Sequence, residues 1–130
     1  MDTKALNEKL LKFVGLVFEK HYIKFSKTEC ESISTTGYYF NGKFIRKSAP
    51  DLVHDLNAQA KYIYPKLAER KLRIEFRKDF DEFNGHLFSC YWTIFDGMSI
   101  VGNGEDMDNP ALAFALAVEK LIDRMEKSND

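Results

Sequence analysis

The sequence predicts an α+β fold, a helix–sheet–helix three-layer sandwich with a mainly antiparallel sheet. Two observations carry that class. Apolar residues recur at helical spacing in three separate stretches, near the start, in the middle and at the end of the chain. Between them, β-branched and aromatic residues alternate or cluster, punctuated by Asn-Gly and Asp-Gly pairs that favour tight turns between neighbouring strands. The resulting order is α-β-β-hairpin-α-β-β-β-α. A length of 130 residues suits a single domain, with a helix and hairpin over 1–47 and a helix–three-strand–helix unit over 48–127.

Leu6, Leu10, Phe13 and Val14 repeat at spacings of three and four, the stripe of an amphipathic helix. Asp2 or Thr3 can cap its start, and Gly15 can end it in a left-handed turn, which leaves Val17 to a strand. Leu16 to Phe25 mixes β-favouring residues with charge and reads as that strand, whereas Ser26 to Ser34 is polar and patternless. "GYYFNGKFIR" is a hairpin, because Asn41-Gly42 supplies the positive φ angles of a type I′ turn. A second helix is expected from Pro50-Asp51 onward, with Leu52, Leu56, Ala60, Ile63 and Leu67 on its inner face and Asp51 or Ser48 as its cap. Pro65 lacks the N–H owed to the carbonyl of Lys61, so a kink or restart is expected there.

"KLRIEFR" sends Leu72, Ile74 and Phe76 one way and Lys71, Arg73, Glu75 and Arg77 the other. One face of such a strand meets water, which places it near a sheet edge. "LFSCYWTIF" is apolar on both faces and reads as the central strand, with Trp92 buried against Phe114 or Ile122. "MSIVG" is the third strand, joined through a turn at Asp96-Gly97, and Asn84-Gly85 marks the turn between the first two. In "NPALAFALAVEKLIDRM", Asn109 caps and Pro110 takes the first helical position. Ala111, Phe114, Ala115, Val118, Leu121, Ile122 and Met125 make its core face. Leu112, Ala113, Leu116 and Ala117 leave its first two turns apolar all round. Another layer or another subunit must cover them, and a homodimer through this helix or through an exposed sheet edge is expected.

A net charge of −1 disfavours nucleic acid as the main partner, since phosphate binding asks for a strong positive excess, and DNA mimicry asks for the opposite one. The longest apolar run, Ala111 to Val118, is far short of the ~20 residues that cross a bilayer. The start "MDTKALNEKLLKF" has no targeting pattern, so the cytoplasm is the expected location. Cys30 and Cys90 stand sixty residues apart without a CxxC partner and read as free thiols.

Three segments together resemble the phage ABA sandwich domain family of bacteriophages and prophages. "LNEKLLKFVGL" is similar to its opening helix ending in glycine. "APDLVHDLNA" is similar to its Pro-x-x-x-x-Asp-Leu-Asn-Ala second-helix start, through Pro50, Asp55, Leu56, Asn57 and Ala58. "NPALAFALAVEKL" is similar to its closing helix. The segments span most of the chain apart from Ser26 to Ser34. Phe18 departs from the tryptophan that often follows the glycine. The resemblance implies helix–sheet–helix layering and a phage or prophage origin, and it brings no catalytic residues with it.

Asp51, His54 and Asp55 could share a neighbourhood on a helix, but a metal site wants a further His or Cys nearby, and His21 and His86 are isolated in sequence. Capping by Asp51 and a local histidine contact explain the group without a metal. Glu105, Asp106 and Asp108 lack the pattern of a calcium loop and suit the start of a helix, and "GNGE" reads as turn chemistry rather than a phosphate cradle. No catalytic residue, metal ligand or cofactor is therefore expected. Lys71, Arg73, Arg77 and Lys78, with Tyr91 or Tyr38 as stacking surfaces, form the candidate binding face. The bland alternative is a solvated strand face that protects a sheet edge. A binding role is expected first, towards a host or defence-system protein in the phage setting. A small nucleotide or signalling molecule held by the basic row comes second, and a hydrolase or nuclease around His54 last.

Overall fold

The computed structural model describes residues 2–20, 22–24, 32–34, 36–80 and 87–128. His21, Cys30, the Asn84-Gly85 turn and His86 lie outside the described residues. Helix α1 (Thr3–Val14) begins where the sequence places it, with the Asp2 carboxylate accepting the N–H of Ala5 at 3.1 Å. It ends at Gly15, whose φ of 86° is left-handed and favours a residue without a Cβ. The stretch read as one strand forms two, β1 (Val17–Glu19) and β2 (Tyr22–Lys24), and β2 pairs with β3 (Ser32–Ser34) in the segment that showed no pattern. The hairpin forms as expected between β4 (Gly37–Phe40) and β5 (Lys43–Arg46), with Asn41 and Gly42 at φ 52° and 79°. Strand β1 completes a small antiparallel sheet, order β1-β4-β5.

Helix α2 (Leu56–Glu69) starts later than expected. Its cap is Asp55, which accepts from the N–H groups of Asn57 and Ala58, while Asp51 to His54 forms a turn. Asn7 of α1 fixes that turn, accepting the N–H of Leu52 at 2.7 Å and donating to the carbonyl of Pro50 at 3.0 Å. Leu52 is still buried, but the delayed start turns Leu56 and Ala60 outward and puts Ala58, Gln59, Ile63 and Leu67 inside. Gln59 is fully buried and donates to the carbonyls of Leu52 and Ala111 at 2.9 and 2.7 Å, tying the turn, α2 and the closing helix together. Pro65 does not make the helix restart. It lies on an exposed side, where water can take up the carbonyl of Lys61.

The larger sheet contains β6 (Arg73–Phe80), β7 (Leu87–Asp96) and β8 (Ser99–Asp106), antiparallel throughout, with β7 central as expected. Strand β8 is longer than "MSIVG" and absorbs the "GNGE" stretch, which is therefore no turn. Helix α3 (Pro110–Ser128) is capped by Asn109, which accepts the N–H of Leu112 at 3.1 Å. It lies across β7 and β8, with Ala113 and Ala117 directly over Gly102 and Gly104. Trp92 is 8% exposed, 4.9 Å from the Phe114 ring, and donates to the carbonyl of Pro110.

The α+β class and the antiparallel pairing are those the sequence predicts, and the order of elements matches broadly, with two more strands before α2 than expected. The layering is one-sided: among the described residues, helix packing on the larger sheet falls on the face of Ile94, Trp92, Gly102 and Gly104. Helices α1 and α2 pack against α3 instead of covering the far face. Lys9 of α1 bonds to Asp123 and lies 3.6 Å from Glu119 of α3, which raises the Lys9 pKa, chiefly through the bond to Asp123.

Candidate functional site: the open face of the larger sheet

Side chains alternate across a strand, so one half of the larger sheet's residues point away from α3. Cross-strand register sets them in rows. Arg73 stands opposite Phe95, with its guanidinium 4.3 Å from the ring centroid. Glu75 stands opposite Thr93, which faces Asn103. Arg77 stands opposite Tyr91, 5.2 Å from its ring, and Tyr91 faces Glu105. The Asn103 amide donates to the Tyr91 hydroxyl at 3.1 Å and accepts from Lys120 at 2.9 Å. Ser89 donates to Glu105 at 2.8 Å. Ser89 and Thr93 are buried on this face, which carries no helix among the described residues.

Three of the expected binding residues meet here: Arg73, Arg77 and Tyr91. Lys71 does not. It occupies the turn leaving α2, at a left-handed φ of 58°, before β6 begins. Lys78 has the wrong parity: it stands opposite Cys90 on the helix-facing side, with its ammonium 5.6 Å from the Phe76 ring. Tyr38 belongs to the small sheet, edge-on to Phe18. Phe95, Asn103, Glu105 and the exposed Ile100 complete the face. The alternation in "LFSCYWTIF" assigns Phe95 to the side of Tyr91, but only the register brings it under Arg73.

The face is not a basic patch. Arg73 pairs with Glu75, and the Arg77 guanidinium lies 3.3 Å from Asp79. With Glu105, three carboxylates stand beside two guanidiniums. The surface is mixed in charge, with aromatic rings under the arginines.

The other candidates resolve locally. His54 Nδ1 lies 3.1 Å from Asp51, both exposed to water, and Asp55 caps α2. Glu105 and Asp106 belong to β8, and Asp106 accepts the N–H groups of Asp108 and Asn109. Among the described residues no group of His, Cys, Asp and Glu is arranged to hold a metal ion. Cys90 is buried, and that burial pushes its thiol pKa up, away from the thiolate a nucleophile needs. No described helix is long and apolar enough to cross a membrane.

Comparison with known protein families, curated proteins and solved structures gives no match for this chain. The likeness to the phage ABA sandwich family rests on the three quoted segments alone.

Proposed function

We propose that this protein acts by binding a protein partner through the open face of its larger sheet, without catalysing a reaction. The observation that supports the reading is the pair of arginine-covered aromatic rows, Arg73 over Phe95 and Arg77 over Tyr91, on a sheet face that no helix covers among the described residues. Arginine and aromatic side chains are the groups that most often carry binding energy at protein interfaces. A β-sheet holds them rigid, so little side-chain entropy is lost on docking. Interleaved charges of both signs suit another protein's surface, which can answer each in turn. The phage resemblance suggests the kind of partner, a host or defence-system protein.

A small nucleotide would have to use the same guanidiniums. Glu75, Asp79 and Glu105 beside them repel phosphate, so the protein partner is favoured. The test is affinity capture from a bacterial lysate with the natural chain, Arg77→Glu and Tyr91→Ala, each checked by circular dichroism. A defined protein held by the natural chain and lost from both folded variants is the expected result. A protein retained equally by both variants would place its contact elsewhere. Saturable nucleotide binding lost in Arg77→Glu would replace this reading with the nucleotide one.

A further inference from the structure

A cavity of about 510 Å³ opens where the end of α2, the β7–β8 turn and the last turns of α3 meet. That volume lies within the roughly 300–1,000 Å³ of small-molecule sites. Its floor is apolar: Leu72, Val101, Leu121 and Met125. Arg70, the residue that closes α2, and Arg124 of α3 line it, and Asp96 is the one carboxylate among the described lining residues. Unlike Arg73 and Arg77, neither of these guanidiniums has a hydrogen-bond or ion-pair partner among the described residues.

Arginine near a helix C-terminus is commonly explained by the negative end of the helix dipole. Here that explanation is incomplete. Among the described residues neither guanidinium bonds a terminal carbonyl, and the dipole gives no reason for an apolar floor between them. We propose that this cavity binds a small amphipathic anion, a phosphate or carboxylate carried on an apolar body. The planar guanidinium forks match both oxyanions, and the floor gains by exchanging water for an apolar group. The proposal is independent of the open-face reading, because the two sites share no arginine.

The experiment is a ¹H–¹⁵N correlation titration of the full chain with phenyl phosphate and with benzoate. Inorganic phosphate and benzyl alcohol serve as the head group and the body alone. Saturable shifts confined to residues 70–72, 96–101 and 121–128 are expected for at least one of the two anions. Each half-molecule should bind about tenfold or more weakly, as expected when charge-assisted bonds and apolar burial both contribute. Arg70→Gln and Arg124→Gln should each weaken binding by about tenfold with an unchanged thermal melt, and Arg73→Gln should leave it alone. The proposal is overturned if neither anion gives saturable shifts there, if benzyl alcohol binds as tightly as the anions, or if both glutamine variants bind like the natural chain. Whichever of the two anions binds more tightly identifies the head group.

Discussion

The Asp51 carboxylate accepts the N–H groups of Val53 and His54 at 3.0 and 2.9 Å through one oxygen, and its other oxygen meets the His54 ring at 3.1 Å. Burial acts on this group most strongly and pushes its pKa up, but the bonds from His54 and Val53 together outweigh it and hold the pKa below the ordinary value. A lowered pKa in the folded state means that the contribution to stability is fully present above the ordinary carboxylate range. It is lost as the pH falls through the lower, folded value. Urea titrations across an acid pH series should therefore show a shallower decline for Asp51→Asn than for the natural chain in that window; parallel curves would sink the assignment. At neutral pH, Asp51→Ala should cost about 1–2 kcal/mol, the loss of a cap-like carboxylate, and His54→Ala no more than about 1 kcal/mol. A chelator should leave the melt unchanged, and a chelator-sensitive melt would show that these residues hold a metal. The sequence offers two aspartates four apart, Asp51 and Asp55, each able to cap a helix. What separates them is Asn7, more than forty residues earlier in the chain, which pins Pro50 and Leu52 into a turn. Local sequence does not carry that information.

Among the elements, the contact between β8 and α3 decides the architecture. A Cβ on Gly102 would come within 2.4 Å of the Ala117 carbonyl oxygen, and one on Gly104 within 2.1 Å of the Ala113 carbonyl oxygen. The obstructing atoms are helix backbone, which cannot swing aside. Neither glycine has a positive φ, so their role is the close approach of two backbones and not an unusual turn. Gly104→Ala should thus destabilise by about 3 kcal/mol, the upper range for overpacking a filled interface, while Gly102→Ala should cost somewhat less. Chemical denaturation measures this, and a change within about 0.5 kcal/mol, the range of ordinary surface substitutions, would mean that α3 does not lie so close. The same contact explains what could be read from sequence. The Asn41-Gly42 hairpin, the Gly15 stop and the Asn109-Pro110 start depend on a few neighbouring residues, and each stands where it was expected. "GNGE" reads locally as a turn, because small residues in a strand gain meaning only from a partner. Here the partner is Ala113 and Ala117, spaced four apart on a helix over glycines spaced two apart on a strand. The binding row suffered differently: parity alone excludes Lys78 and sets Glu75 and Asp79 beside Arg73 and Arg77 on one face of the strand, while the helix exit that removes Lys71 depends on packing.

For the whole molecule, that pairing removes the reason for expecting a dimer through α3. Ala113 and Ala117, read as small residues open to a second subunit, are fully buried against the chain's own sheet. Leu112 and Leu116 are half-buried and packed against the core, so neither stands as a free apolar knob. Burial of a leucine is worth about 1.5–3 kcal/mol, and most of that is already gained within one subunit, leaving little to drive association through this helix. An exposed apolar side chain on the face of the binding rows is instead Ile100, 53% accessible and paired in register with Phe95. Sedimentation at micromolar concentration should give a 15.1 kDa species. Leu116→Glu should lower stability without changing the sedimentation coefficient of the folded protein. A dimer dissociated by Leu112→Glu or Leu116→Glu, with the fold intact, would restore α3 as an interface. A dimer indifferent to both but dissociated by Ile100→Glu would make a second copy of this chain the partner of the open face. That result would also leave the face closed to any other protein until the dimer came apart, so affinity capture would have to weaken as the protein concentration rises.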